Sequence, residues 1–139
     1  MTIFSNQFRF SSTYFDNTIK GDTFKVTVYG KMLLDSDMPD FDDFKKFVKN
    51  NIINKLDNAF LYNKNIGNNE QLNNILALIM LDDKQKTFAF DSDVNMLTVA
   101  NKILKTLNFC AVMENKDYRI YSVEIYKSKS QKIIVTDED

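Results

Sequence analysis

The 139-residue chain contains no histidine and no tryptophan, and it has only one cysteine, one proline and three glycines. Without histidine it lacks the commonest metal ligand in proteins and the side chain best suited to moving protons near neutral pH. Its single cysteine, Cys110, excludes an internal disulfide. Because Cys110 lies in the apolar run LNFCAVM, with no imidazole to activate it, we expect a buried small hydrophobe rather than a nucleophile.

Net charge is also nearly absent. The chain has 18 lysine and arginine residues and 19 acidic residues, so its net charge is −1. Nucleic-acid-binding domains usually show a clustered basic excess, so we expect no nucleic-acid partner. No stretch approaches the ~20 apolar residues of a membrane span, and the first ten residues lack the apolar centre of a secretory signal. These absences predict a cytoplasmic protein without a membrane partner.

The hydrophobic pattern predicts a single α+β domain over residues 1–139. Apolar residues alternate along FRFSSTYF and again along TFKVTVYG, which indicates two half-buried strands. A helix with a broad apolar face should begin after Asp40, an N-cap followed by two aspartates in the first turn. A second helix follows the capping residues 91–93. Two strands, YRIYSVEIYK and QKIIVTD, are joined around residues 128–130.

Residues 63–90 form an insert whose conformation the pattern leaves open. The runs ILALIML and KTFAF fit either a hairpin or a short helix followed by a strand, since periodicity cannot separate the two over seven residues. We favour the hairpin, because the first run is short and the second is aromatic. The acidic tail, residues 136–139, is expected to be frayed. The order predicts an antiparallel sheet with two helices packed on one face.

Four motifs in sequence order, FRFSSTYF, KGDTFKVTVYG, MPDFDDFKK and LDNAFL, resemble the family of 6-pyruvoyltetrahydropterin synthase and 6-carboxytetrahydropterin synthase. In that family a Phe-x-Phe strand ends in a zinc histidine, and a His-Gly-His triplet precedes the next strand. A later helix ends in Leu-Asp-His. MLTVANKIL and YSVEIYKSKSQKIIV resemble its second helix and last strand pair. The resemblance implies the T-fold and homo-oligomers that pair edge strands into a barrel.

The zinc ligands of that family are replaced in this chain. The resemblance puts Tyr14 at the first zinc histidine and Lys20 and Asp22 at the His-Gly-His pair, around Gly21. The nucleophilic cysteine would fall near Asp16. Zinc in such a site takes about three neutral imidazoles and an open position. A phenol ionises only near pH 10 and an ammonium repels cations. We therefore expect no metal and no other cofactor.

The proton relay and the substrate anchor are lost as well. The relay histidine falls on Asn58, an amide that cannot exchange protons near pH 7. Asp57 before it is retained, and a carboxylate there can bond backbone at the helix end. The pterin-anchoring glutamate falls on Lys127, which offers donors where the ring needs an acceptor. We assign no catalytic residue and expect an inherited pocket at the following positions: Tyr14, Lys20, Asp22, Asp57, Asn58 and Lys127.

Simpler interpretations stand beside these assignments. Lys20 and Asp22 lie two apart on an incipient strand, so they form either an exposed ion pair or an electrostatic substitute for the metal. Tyr14 is either a strand aromatic or a stacking platform. The acidic segment DSDMPDFDD lacks the glycine and distal glutamate of a calcium loop, so a solvated loop with a helix cap is favoured.

Three functions follow. The favoured one is a catalytically inactive relative of the pterin synthases, a homo-oligomeric binding or structural module or a regulator that contacts a protein partner. The second is a protein that binds a purine- or pterin-like molecule in the inherited pocket. The third is an enzyme with metal-free chemistry rebuilt around Tyr14, Lys20 and Asp22.

Overall fold

The alternating N-terminal third forms a long hairpin at the centre of a six-stranded sheet. The computed structural model describes residues 2–128 and 130–137. In it, β1 (Ile3–Asp16) and β2 (Thr18–Met32) pair antiparallel along their whole length. Asn17 closes the turn with φ of 61°, a left-handed conformation that asparagine tolerates. The hairpin thus sets the long axis on which every other element is placed.

The remaining elements complete one mixed sheet with helices on both faces. The further strands are β3 (Ala59–Asn63), β4 (Lys86–Phe90), β5 (Tyr118–Ser128) and β6 (Gln131–Thr136), in the order β4-β3-β1-β2-β5-β6. The helices are α1 (Phe41–Val48), α2 (Asn54–Leu56), α3 (Glu70–Met80) and α4 (Met96–Met113), and a π-helical turn, Lys49–Ile53, joins α1 to α2 as one rod. The predicted α+β class, both terminal strand pairs and both long helices are confirmed.

The first helix begins where the sequence predicts. Asp40 accepts a hydrogen bond from the backbone N of Asp43 at 3.0 Å, which caps α1. Phe44 and Ile52 are fully buried along this rod. The rod and α4 pack on one face of β1, β2 and β5 and enclose the main core. Cys110 lies on α4, only partly buried, and burial together with Glu114 raises the pKa of its thiol.

The insert is a helix followed by a strand, so the preference for a hairpin is wrong. Strand β3 pairs parallel with β1, and β4 pairs parallel with β3. Parallel neighbours need a crossover connection, and α3 supplies it. Leu72, Ile75, Leu76 and Ile79 share one face of α3. The seven-residue run began at Ile75 and omitted the first position of that face.

Helix α3 packs on the opposite face of the sheet from α1 and α4. Its Leu72 is buried with Phe15 and Phe60 in a second apolar cluster. Successive strand residues point to opposite faces, so Tyr14 faces the main core while Phe15 faces α3. The predicted pair of helices on one face is confirmed. The third helix is the alternative that was not favoured for residues 63–90, and the two parallel strand pairings were not predicted.

Two predictions from the sequence concern the ends of β6, namely the connection before it and the acidic tail after it. Lys129, in the predicted connection between the last two strands, lies outside the described residues. At the other end, Thr136 is the last residue of β6, and the backbone N of Asp137 donates to the carbonyl of Tyr121 at 2.9 Å. Residues 138 and 139 lie outside the described residues. Within residues 2–128 and 130–137, no helix is both long and apolar enough to cross a bilayer.

Gly30 marks a bulge where β2 changes its register against β5, a position at which glycine is common. A Cβ built on Gly30 would lie 2.5 Å from Cζ of Phe4. That ring packs edge-on against Phe44 and Tyr118, with centroids 4.8 and 5.9 Å away. The strand therefore needs glycine here because the aromatic cluster occupies the space of a side chain.

Gly30→Ala should destabilise the fold by roughly 1–3 kcal/mol, because the added methyl overpacks a buried ring. Gly21→Ala is the matched control, since a Cβ there would meet Cγ2 of Thr13 at 3.7 Å and the carbonyl O of Ser12 at 4.0 Å, both ordinary contacts. Its free energy of unfolding should change by less than about 0.5 kcal/mol. Urea unfolding of both variants makes the comparison. Equal losses would contradict this account of the packing.

Stability should fall at alkaline pH because of Tyr118. Burial, and then the carboxylate of Asp43 at 3.1 Å, raises the pKa of this phenol. The unfolded chain loses the proton near pH 10 while the folded chain keeps it. The contribution of Tyr118 is thus fully present below pH 10 and is lost as pH rises toward the folded value. In urea unfolding between about pH 9 and 11, Tyr118→Phe should lose stability less steeply than the wild type; parallel curves would contradict the assignment.

Candidate functional site

Three polar side chains meet at the ends of β1, β2 and β5. Tyr14 Oη donates to Asp22 Oδ2 at 2.5 Å, and Lys127 Nζ donates to Tyr14 Oη at 3.0 Å. The same ammonium lies 3.2 Å from Asp22 Oδ2. We call these three residues the polar network. All three are predicted site residues, and the structure brings them into direct contact.

Strand geometry explains this contact. Tyr14 pairs across the hairpin with Lys20, and Asp22 lies two residues further along, so all three share a face. Lys127 comes from the end of β5, the other neighbour of β2. Its Nζ lies 5.4 Å from the ring centroid of Tyr14 and 5.6 Å from that of Phe24. The aromatic faces therefore help to hold the ammonium in place.

Burial and mutual contacts move all three pKa values away from neutrality. Burial, and then the hydrogen bond to Asp22, raises the pKa of Tyr14 against the opposite effect of Lys127. Burial alone would raise the pKa of Asp22, but the Tyr14 hydroxyl and the ammonium hold it below its ordinary value. Burial would lower the pKa of Lys127, but its two partners raise it. At pH 7 the network holds a neutral phenol, a carboxylate and an ammonium.

Lys20 lies outside the polar network. Its Nζ is 3.0 Å from Oδ2 of Asp16, four residues earlier across the hairpin turn. The interpretation of Lys20 and Asp22 as an ion pair is therefore wrong, because each has a closer partner. Lys127, assigned by resemblance to a substrate anchor, is the lysine that reaches Asp22. The sequence carried no signal for this pairing, since 113 residues separate Lys127 from Tyr14.

The polar network does not fit a zinc ion. Two of its oxygen atoms, Oη of Tyr14 and Oδ2 of Asp22, already lie within 3.2 Å of the ammonium of Lys127. A divalent cation bound to the same atoms would be brought against a positive charge. Among the described residues, no three His, Cys, Asp or Glu side chains lie close enough to share a metal. The ammonium supplies the positive charge that a metal would bring.

Asp57 and Asn58 hold the turn from α2 into β3. Asp57 Oδ1 accepts from the backbone N of Ser11 at 3.0 Å, and Asn58 N donates to the carbonyl of Ser11 at 2.7 Å. Asn58 has a φ of 58°, again in the left-handed region. Asp57 thus has the backbone role that the sequence allowed. Neither residue contacts Tyr14 or Lys127.

Two cavities lie beside the polar network. One, of about 490 Å³, is lined by Tyr14, Lys20 and Lys127 together with the start of α4. The other, of about 600 Å³, is lined by Asp22, Asn58 and several hydroxyl groups. Among the latter is Ser12, which is 5% exposed and whose Oγ has no hydrogen-bond partner among the described residues. Ser12 was not among the predicted site residues, because a serine in an alternating strand does not by itself indicate a binding site.

Neither a family model nor a curated protein matches the sequence. Solved structures do match it, and two of them are similar to it over nearly its whole length. An uncharacterized protein from Wolinella succinogenes has a TM-score of 0.69 and 14% identity, with 99% of this chain and 98% of that chain covered. A catalytic-residue mutant of 6-pyruvoyltetrahydropterin synthase from Plasmodium vivax has a TM-score of 0.56 and 15% identity, with 100% of both chains covered. The chain therefore has an α+β fold like that of the synthase, and at these identities the likeness concerns the fold alone.

Proposed function

We propose that this protein is a catalytically inactive relative of the pterin synthases that acts as a homo-oligomeric binding or structural module, or as a regulator through a protein partner. One observation carries the proposal. The ammonium of Lys127 lies between Tyr14 and Asp22, at positions where the resemblance puts zinc ligands. The charged groups satisfy one another, so the arrangement favours stable structure over reaction.

The direction of the pKa changes supports inactivity. A general acid or base works best when its pKa lies near the working pH, and active sites commonly shift pKa values toward it. Here the pKa of Tyr14 rises from 10.0, that of Lys127 rises from 10.5 and that of Asp22 falls from 3.8. None of the three can exchange a proton readily at pH 7.

The sheet edges support a homo-oligomer. β6 is a terminal strand of the sheet, and its Ile134 is 56% exposed. An edge strand offers unpaired backbone N–H and C=O groups, and proteins cover such edges or pair them. A second copy of this chain, adding its own edge strand to β6, would extend the sheet and cover Ile134. The start of β6 lines the 490 Å³ cavity beside the polar network, but Ile134 does not, so pairing through Ile134 requires no catalytic role.

Molar mass in solution tests the assembly. Size-exclusion chromatography with light scattering should give a multiple of the 16.2 kDa chain mass. A single monomeric species at micromolar concentration would contradict the proposed module. Affinity capture from a native lysate then tests the regulatory role. A partner that co-purifies in a fixed ratio to this chain supports it, and recovery of this chain alone contradicts it.

A small-molecule binding protein is the second candidate, and Ser12 favours it. A buried hydroxyl without a partner costs free energy, which a ligand reaching it from the 600 Å³ cavity would recover. A thermal-shift screen of pterins and purines should then raise the melting temperature of the wild type. Ser12→Ala should weaken that shift without lowering the stability of the free protein. No shift with any compound would contradict this candidate.

A further inference from the structure

A third cavity, on the other part of β1, is lined by positively charged side chains and by no acidic one. It measures about 470 Å³, and its charged lining residues are Arg9, Lys25, Lys45 and Lys49. The whole chain carries a net charge of −1, so this concentration is a product of the fold and not of composition. The volume lies within the range of small-molecule sites.

The four cations form two pairs of neighbouring like charges. Arg9 and Lys25 lie directly opposite across the hairpin, where like charges destabilise a sheet. Lys45 and Lys49 are four residues apart along the first helical rod, where like charges also repel. Selection for stability alone would not favour two such pairs around one cavity. Their cost is explained if an anion lies between them.

These cations also lack the partners that other lysines have. Lys20, Lys64, Lys116, Lys127 and Lys132 each form an ion pair with an aspartate or glutamate. None of the four cations around the cavity forms an ion pair with a carboxylate of the described residues. Their positive charge therefore remains available to a ligand.

The uncharged residues that line the cavity add a second kind of contact. The buried residues Phe8, Val26 and Ile53 line it together with Tyr126. Ile53 ends the π-helical turn that Lys49 begins, so this turn forms part of the wall. Short π-helical segments recur at functional sites in proteins. The lining thus combines four cations with the ring of Tyr126 and other uncharged residues.

We propose that this cavity binds a small phosphate compound with several negative charges. Arg9 offers a planar fork suited to two phosphate oxygens, and the three lysines act as point charges around it. A compact polyphosphate carries enough negative charge to engage several of these cations, whereas a single carboxylate does not. Five residues of β1 separate Arg9 from Tyr14, roughly 17 Å along a strand. The site is thus distinct from the polar network and independent of the proposed function.

Calorimetric titration with inorganic triphosphate at low salt tests the inference. The double variant Lys45→Gln/Lys49→Gln should bind at least about 10-fold more weakly than the wild type, since two charged contacts are lost. Lys46→Gln is the matched control, because Lys46 lies exposed on the same helix but outside the cavity. It should leave the affinity within about 2-fold of the wild-type value, since only screened long-range attraction changes.

Further measurements separate a site from general attraction. Without ligand, the double variant should be as stable as the wild type or slightly more stable, since one repulsive pair is removed. If a nucleoside triphosphate binds more tightly than inorganic triphosphate, the uncharged lining residues also contribute to binding. Equal affinities would show that only the phosphate groups are recognised. No binding by the wild type, or equal weakening in Lys46→Gln and the double variant, would overturn the proposal.

Discussion

Replacing Tyr14, Lys20 and Asp22 with histidine and Lys127 with alanine should make the chain bind one zinc ion. The first two positions face each other across the hairpin, and the third lies two residues along on the same face. Their Cβ atoms are therefore within about 5–7 Å of one another, a spacing that lets three imidazoles share a metal. Removing the lysine frees the space and the charge. Mass spectrometry of dialysed protein should find about one zinc per chain.

Two comparisons make this result specific. The triple histidine variant that keeps Lys127 should bind zinc much more weakly, because the ammonium stays beside the metal position. Zinc should also raise the melting temperature of the quadruple variant, and a chelator should reverse the rise. A folded quadruple variant that takes up no zinc would contradict the placement of these positions around one point.

Ile134→Pro should convert the proposed oligomer into monomers. The amide of Asp137 donates inward to Tyr121, and inward amides recur at every second residue of an antiparallel strand. The amide of Ile134 therefore points to the outer edge, where a proline removes a donor without breaking a bond to β5. The mass from light scattering should fall to that of one chain, 16.2 kDa.

A conservative variant and a stability measurement complete this test. Ile134→Val keeps the outer amide and most of the apolar surface, so it should remain assembled. Circular dichroism should show that the proline variant is folded, since β6 keeps its inner bonds. An unchanged mass for a folded Ile134→Pro variant would show that copies do not associate through β6.

Local rules were sufficient for much of the fold. Alternating burial along the first two strands follows from the two-residue period of a strand, as at Phe24 and Val26, which are each 1% exposed. The start of the first helix follows from Asp40, whose side chain satisfies an unpaired amide. Both features depend on residues close together in sequence, so the sequence alone carries them.

Features that depend on distant residues were missed. The apolar face of α3 packs on Phe15 of β1 and Phe60 of β3, and the local sequence does not reveal that contact. The pairing of Lys127 with Asp22 joins two strands that are adjacent only in the folded sheet. The cationic cavity likewise combines β1, β2 and the first helical rod. Tertiary contact, and not local propensity, decides each of these.

The resemblance singled out six residues, and it gave no sign which of them contact one another. Three of its six residues, Tyr14, Asp22 and Lys127, form one hydrogen-bonded cluster. Their individual assignments came from two zinc ligands and one substrate anchor, which are separate roles in the family. Under the proposed function, this contact takes the place of the metal and anchor roles, so the scaffold keeps its shape without the chemistry.

The zinc content of the wild-type chain is the most direct test of this account. The protein should be expressed with zinc in the medium and purified without a chelator, and its metal should be measured per chain. We expect well under one zinc, because the ammonium of Lys127 occupies the contacts with Tyr14 and Asp22. One tightly bound zinc per chain, lost together with Tyr14→Phe/Asp22→Asn, would contradict the central claim.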